Sequence, residues 1–191
     1  SSRAVVVSDA WLAVIDLSHP ELGPDRIQIS NDTVNPPEAE EVVLTPDGNF
    51  AIIRQFGATS LVLVNLDTAE VQSVIVGENP TDIDITPDGS EAIAVARGSS
   101  ELWVYDLLNP TSAPQVVPMP RDEVFGSLVL SPLGDAGILF STASGAARYA
   151  TWDRTEPNPL EAVTTRALVK PISGVEISPS GETAIVFHPR E

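Results

Sequence analysis

A short turn motif returns along this chain, and its spacing is the feature that most restricts the fold. The sequence reads "TPDG" at 45–48 and again at 86–89, with weaker forms "SPLG" at 131–134 and "SPSG" at 178–181. The prolines of the four copies are separated by 41, 45 and 47 residues. A second marker, an Asp or Asn in "VIDL", "VNLD", "VYDL" and "TWDR", recurs at the same period. Two markers with one period predict a repeat architecture.

Within each unit the apolar residues follow the period of β-strands. Ile83 and Ile85 alternate with Asp82, Asp84 and Thr86 before one turn, which is a period of two. Short apolar runs such as "EAIAVAR" follow the turns and suit strands that are covered on both faces. Two further strand-like segments complete each unit, and no stretch keeps apolar residues at helical spacing for three turns. Each unit is therefore predicted to hold four antiparallel strands.

Repeated units of four short strands are typical of an all-β fold, the β-propeller, in which each sheet is one blade. The predicted blades are a partial blade at 3–30, complete blades at 40–77, 81–120 and 125–169, and a partial blade at 173–191. These segments hold seventeen predicted strands, one more than a closed four-bladed ring and three fewer than a five-bladed ring. We expect an open arc of about four blades, a fragment of a ring of about six to eight blades. We also expect its exposed end blades to self-associate or to meet further chain.

One unit carries a specific family resemblance. The stretch "IVGENPTDIDITPDGSEAIAVARGSSELWVYDL" at 75–107 resembles the bacterial YVTN-type propeller repeat in its Val-Gly pair, its following Pro and its TPDG turn. The strand that names the family is degenerate, and Leu133 and Ser180 stand where the family turn has Asp. The resemblance implies a propeller and covers almost the whole chain. Proteins similar to it are mostly exported bacterial envelope or surface proteins, binding modules and a few lactonase-like enzymes.

Composition restricts the partners. The formal net charge of −17 and the pI of about 4.2 predict a surface that repels phosphate backbones and anionic membranes, so we expect no nucleic-acid partner. Without cysteine the chain has no disulfide and no thiolate metal site, and we expect no cofactor. No apolar run approaches the length of about 18 residues that spans a bilayer. Because the chain begins at Ser1 without methionine, we expect a start that is processed or cut, where a removed export signal would leave no trace. The expected localisation is that of an exported bacterial protein.

Charged residues on the first strand of each unit are the leading candidates for a ligand site. First strands surround the central channel of a propeller, so carboxylates there converge on one axis and shift one another's pKa. Arginines near the ends of the next strands are candidate counter-ions. The alternative is a solvated channel with no function. The candidate ligand-binding residues are Glu41, Asp82, Asp84, Glu176, Arg54 and Arg97.

Other residues give no catalytic or metal assignment. Asp47 and Asp88 in the Pro-Asp-Gly turns are expected to bond local backbone N–H groups rather than calcium. His19 and His188 are expected to be ordinary loop residues. No nucleophile elbow, phosphate loop or H-E-x-x-H motif occurs in the sequence. Three tryptophans recur near the third strands, where packing between blades is the expected role.

Two functions remain open at this stage. The first is a non-enzymatic binding or scaffold module of the cell envelope, which contacts a protein or a glycan through its rim loops. The second is a lactonase-like or metal-assisted hydrolase with a carboxylate-lined site at the channel mouth. The missing catalytic motifs favour the first, and the acids of the inner strands are the only support for the second.

Overall fold

The computed structural model describes residues 2–121, 123–143 and 145–189. Within those ranges the chain forms seventeen β-strands and one short 3-10 helix, Pro20–Leu22, which confirms the predicted all-β class. No helix in those ranges is long and apolar enough to cross a lipid bilayer. Of the predicted blades, Ser144 and residues 190–191 lie outside the described residues.

The strands form five antiparallel sheets, called blades 1 to 5, and strand order follows the sequence in each. Blade 1 holds β1 (Arg3–Val7), β2 (Trp11–Asp16) and β3 (Asp25–Gln28). Blade 2 holds β4 (Ala39–Leu44), β5 (Phe50–Gln55), β6 (Ser60–Asn65) and β7 (Val71–Ile75). Blade 3 holds β8 (Pro80–Ile85), β9 (Glu91–Ala96), β10 (Glu101–Asp106) and β11 (Gln115–Pro118). Blade 4 holds β12 (Ser127–Leu130), β13 (Ala136–Phe140), β14 (Arg148–Asp153) and β15 (Val163–Ala167). Blade 5 holds β16 (Gly174–Ile177) and β17 (Ala184–Phe187).

The first strands of successive blades lie side by side at the centre. Strand β4 contacts β8, β8 contacts β12, and β12 contacts β16. The sheets are therefore fanned around an axis and are not stacked as a sandwich. This arrangement is a partial β-propeller, as the repeat period predicts.

The core consists of apolar layers between neighbouring blades. Leu12 of blade 1 and Ile53 of blade 2 share one layer, and both are fully buried. Blades 3 and 4 share another, in which Leu102, Leu139 and Trp152 are almost completely buried. Burial of one such side chain contributes about 1.5–3 kcal/mol, so blade-on-blade contact supplies most of the hydrophobic stabilisation.

The recurring turn has one geometry in all four copies. The N–H of its glycine donates to the carbonyl oxygen three residues earlier, at 2.8 Å in each copy. The glycine φ angles lie between 70° and 76°, a left-handed region that glycine adopts without strain. In the copy at 86–89, the Ser90 N–H donates to the Asp88 carboxylate at 3.1 Å. Hydrogen bonds from Thr86 and then Ser90 lower the pKa of Asp88 to about 2, which agrees with the expected turn role of this residue.

The second strand of blade 5 is exposed where equivalent strands are buried. Ile185 stands four residues after the turn glycine, as Ile52 and Ile93 do in blades 2 and 3. The exposed fraction is 57% for Ile185 but 2% for Ile52 and 0% for Ile93. Phe187 is 44% exposed, whereas Phe140 at the same repeat position of blade 4 is 6% exposed. The outer face of blade 5 is therefore an uncovered apolar flank.

This contrast predicts unequal costs for one substitution at two equivalent positions. Ile93→Ala should lower the free energy of unfolding by about 2–5 kcal/mol, because it opens a cavity in a closed layer. At concentrations low enough for the chain to be monomeric, Ile185→Ala should change it by less than about 0.5 kcal/mol, because its side chain then contacts water. Urea unfolding followed by tryptophan fluorescence measures both values. Equal destabilisation by the two variants would contradict the assignment of an open flank.

Candidate functional site on the inner strands

Two glutamates and one arginine form the first part of the inner-strand site. Glu41 on β4 accepts a hydrogen bond from Arg54 Nε of β5 at 3.0 Å. The same guanidinium also pairs with Glu40 and donates to the carbonyl oxygen of Pro80 on β8 at 3.4 Å. Only 12% of the Arg54 side chain is exposed. Arg54 therefore neutralises acids of its own blade and also links blade 2 to blade 3.

Two aspartates of β8 form the second part, and they bind the backbone of the next blade. The Leu128 N–H donates to the Asp82 carboxylate at 2.6 Å, and the Leu130 N–H donates to Asp84 at 3.2 Å. Alternate residues of a strand point their N–H groups to the same side. Because β12 pairs with β13 along its other edge, these two N–H groups belong to its unpaired edge. The aspartates therefore supply the acceptors that a neighbouring strand would otherwise provide.

The geometry of this contact depends on a bulge at the start of the inner strands. Strand β8 shifts its register against β9 between Pro80 and Asp82, and β4 does the same between Ala39 and Glu41. A bulge adds one residue and turns the following side chains. Asp82 and Glu41 stand directly after the bulge at the same repeat position, seven residues before the turn glycine.

Burial controls the charge of these acids. It raises the pKa of Glu41, an effect that the hydrogen bond from Arg54 opposes. It also raises the pKa of Asp82, against the hydrogen bond from Leu128. The pKa of Asp84 rises to about 6, first because of burial and then because of the nearby negative charge of Asp82. The cluster therefore gains protons as the pH falls below neutrality.

Two of the six candidate residues lie outside this cluster. Glu176 stands on β16 at the repeat position of Asp84, but it lies on blade 5 and its side chain is exposed. Arg97 follows β9 and forms no ion pair with any described residue. The structure thus brings Glu41, Asp82 and Asp84 together with Arg54 as a counter-ion, and it separates the other two.

Sequence reasoning missed several participants. Glu40 is the second acid on Arg54, and its only signal was its place beside Glu41. The backbone N–H groups of Leu128 and Leu130 carry no signal in the side-chain pattern. At the other end of the blades, Arg154 of blade 4 pairs with Glu91 of blade 3, a link that repeat spacing alone does not indicate.

Of the three tryptophans, Trp103 and Trp152 pack against apolar layers between blades as expected, whereas Trp11 is 40% exposed and belongs to none of these layers. Trp152 packs between blades 3 and 4, and the Arg154 guanidinium lies 5.4 Å from its ring centre. His19 and His188 are both exposed, the first beside Glu21 at 3.3 Å. Among the described residues no group of three or more His, Asp or Glu side chains is arranged to hold a metal ion.

Comparison with known proteins identifies the fold. No protein-family model and no curated protein sequence matches the chain. Its structure is similar to Kuenenia stuttgartiensis hydrazine synthase, with a TM-score of 0.71 and 17% identity over 97% of this chain and 52% of that one. It is similar to a 6-phosphogluconolactonase-like protein of Bacteroides uniformis, with a TM-score of 0.61 and 15% identity over 95% and 62% of the two chains. It is also similar to the dihydro-heme d1 dehydrogenase NirN, with a TM-score of 0.72 and 16% identity over 97% and 39%.

The three similar structures are β-propeller proteins, so the chain has a propeller fold. It spans less than two thirds of the length of each of them. Identities this low carry information about the fold and not about the activity.

The blade 3–blade 4 contact predicts how stability responds to Asp84 variants. Asp84→Ala should be about 1–2 kcal/mol less stable than Asp84→Asn, because both remove the charge but only Asn keeps an acceptor for the Leu130 N–H. Urea unfolding at pH 7 measures the difference. Equal stability of the two variants would contradict an edge-capping role for this side chain.

The raised pKa of Asp84 also predicts a pH dependence. The folded state holds this proton more tightly than the unfolded chain, so its ionisation removes stability as the pH rises from about 4 through about 6. Asp84→Asn lacks this term, so the stability of wild type relative to Asp84→Asn should increase as the pH falls through 6. The comparison is measured by unfolding at several pH values, with Glu176→Gln as a control for net charge. A constant difference between pH 4 and 7 would contradict the assignment.

Proposed function

We propose that this chain is a non-enzymatic binding and scaffold segment of an exported bacterial β-propeller with repeats of the YVTN type. It contacts a protein or a glycan through the loops of one rim. Support for export comes from the repeat resemblance and from the strongly acidic composition, which favours solubility.

The main support for a non-enzymatic function is that the inner-strand acids are hydrogen-bonded to other groups of the protein. Asp82 and Asp84 bind backbone N–H groups of blade 4, and Glu41 binds Arg54. A catalytic carboxylate must reach a proton or a carbon of its substrate. Two of these carboxylates instead join blade 3 to blade 4, and the third is paired with Arg54, which itself links blade 2 to blade 3, so part of their hydrogen-bonding capacity is already used by the scaffold.

One observation favours a second candidate function. The pKa of Asp84 at about 6 lies near the working pH of a general acid or base. The 6-phosphogluconolactonase-like protein is among the structures with this fold. The alternative is therefore a lactonase-like or metal-assisted hydrolase at the channel mouth.

Metal titration and a substrate screen separate the two functions. Under the binding function, calorimetric titration with Ca²⁺, Mg²⁺, Mn²⁺ and Zn²⁺ should show no heat of binding. A panel of lactones and esters should show no turnover above background. Metal binding tighter than about 1 μM, lost in the Asp84→Asn, Glu176→Gln double variant, would favour the hydrolase. Turnover that Asp84→Asn abolishes, in a variant that remains folded, would do the same.

The end blades support a scaffold role through self-association. In blades 2 and 3 the face equivalent to Ile185 is covered by a neighbouring blade of the same repeat type. In solutions of the isolated chain, a blade of a second copy can cover this face of blade 5 in the same way. At the other end β1 has an unpaired edge in a three-stranded sheet, and Val6 is 57% exposed. The expected contact is therefore head to tail, from blade 5 of one copy to blade 1 of the next.

This contact predicts concentration-dependent self-association. Sedimentation velocity of the wild type should show dimers or larger species, and Ile185→Asp should shift the population towards monomer because it places a charge in the flank. Leu133→Asp is the matched control, since Leu133 is 75% exposed in a turn away from the flank. A wild-type protein that remains monomeric at all concentrations would contradict the proposal.

A further inference from the structure

A polar cavity of about 300 Å³ lies between blades 3 and 4 at the rim where the inner strands begin. Its walls come from the start of β8, the end of β9, the start of β12 and the loop after β13. The lining residues are Thr81, Arg97, Gly126, Ser127, Ser141, Thr142 and Ala143. This volume is at the lower end of the range for small-ligand pockets.

The charge inside the cavity is opposite to that of the protein. The chain has 27 acidic and 10 basic residues, yet none of the described lining residues carries a carboxylate. Arg3, Arg54, Arg148 and Arg154 each pair with an acid. Arg97 lines the cavity and forms no ion pair with a described residue. Its guanidinium is therefore available to a ligand, in a fork geometry that suits carboxylate or phosphate oxygens.

Hydroxyl groups supply further donors beside this guanidinium. Ser141 is 7% exposed, and its Oγ accepts a hydrogen bond from the Ala143 N–H at 3.2 Å. That bond leaves the hydroxyl proton of Ser141 for another acceptor. The Ser127 and Thr142 hydroxyls also line the cavity. The Thr81 hydroxyl instead donates its hydrogen bond to the Gly126 carbonyl oxygen at 2.8 Å.

Gly126 keeps the space beside Arg97 open. A Cβ at this position would lie 3.7 Å from Arg97 Cδ and 3.6 Å from Thr81 Oγ1, both ordinary contact distances. The Arg97 stem therefore runs along the glycine, and any larger side chain at position 126 would extend into the cavity. A larger residue here would occupy the ligand space without changing the charge.

We propose that this cavity binds a small oxyanion, a carboxylate or a phosphate carried by a hydroxyl-bearing molecule, with Arg97 as its charged contact and Ser141 as a hydroxyl donor. This proposal rests on the binding function proposed above and adds that the ligand at the channel mouth is an anion with hydroxyl groups. A ligand hydroxyl can donate to Thr81 Oγ1, and the Ser127 hydroxyl can donate to the ligand or accept from it.

Calorimetry on the full chain with three probes tests this assignment. The probes are glucuronate for the carboxylate, glucose 6-phosphate for the phosphate and glucose as the neutral control. The salt concentration is about 0.15 M, at which the screening length of about 8 Å limits repulsion by the acidic surface. One or both anions should bind at concentrations up to about 10 mM, and glucose should bind at least tenfold more weakly. The anion that binds identifies the group that carries the charge.

Three variants assign the binding to this cavity. Arg97→Gln should weaken anion binding about tenfold or more, because it removes a charged hydrogen-bond donor. Arg166→Gln is the matched control, since it removes the same charge from β15 on the outside of blade 4 and should leave binding unchanged. Gly126→Leu should abolish binding by filling the cavity, with circular dichroism to show that the sheet is retained.

Two outcomes would overturn the proposal. The first is the absence of binding for both anions, and the second is equal binding by wild type and Arg97→Gln. Either result leaves the non-enzymatic function standing if the metal titration and substrate screen are silent. Turnover of a lactone or an ester would instead overturn the proposed function. The Arg97→Gln and Gly126→Leu variants would still show whether the anion binds in this cavity.

Discussion

Each internal blade of this protein has two apolar faces, and both must be shielded from water. A four-stranded sheet cannot shield itself, so blades 2, 3 and 4 are stable only between neighbours. The fully buried Ile53, Ile93 and Leu139 occupy the second strands of these three blades. This constraint explains the period of the sequence, the radial order of the sheets and the uncovered flank at blade 5.

The inner strands have a second requirement, which concerns hydrogen bonds. Each first strand pairs with one strand only, and the other edge of β12 presents unpaired N–H groups towards the preceding blade. At the contact between blades 3 and 4, carboxylates of Asp82 and Asp84 accept from these groups. Between blades 2 and 3, Arg54 donates to a carbonyl oxygen instead. Burial makes the charged carboxylate costly and raises the pKa of Asp84, whereas the hydrogen bond from the Leu130 N–H opposes this rise.

These roles divide the channel mouth into two chemically different parts. The acids are bound to the scaffold, whereas the cavity beside them is lined by hydroxyls and one unpaired arginine. In the proposed function, the hydroxyls and Arg97 of the cavity contact the ligand, while the inner-strand acids connect the blades.

The sequence alone determined the period, the strands and the propeller, because turn chemistry and alternation are local properties of neighbouring residues. It also indicated that Glu41, Asp82 and Asp84 share the inner strands. Only the tertiary structure decided what these acids do, since the partners of Asp82 and Asp84 are backbone groups of another blade 46 residues away and the partner of Glu41 is Arg54 on the neighbouring strand. The same holds for Arg54 and Arg97. Arg54 pairs with two glutamates, whereas Arg97 faces a cavity. This difference depends on how the blades pack and not on the residue type.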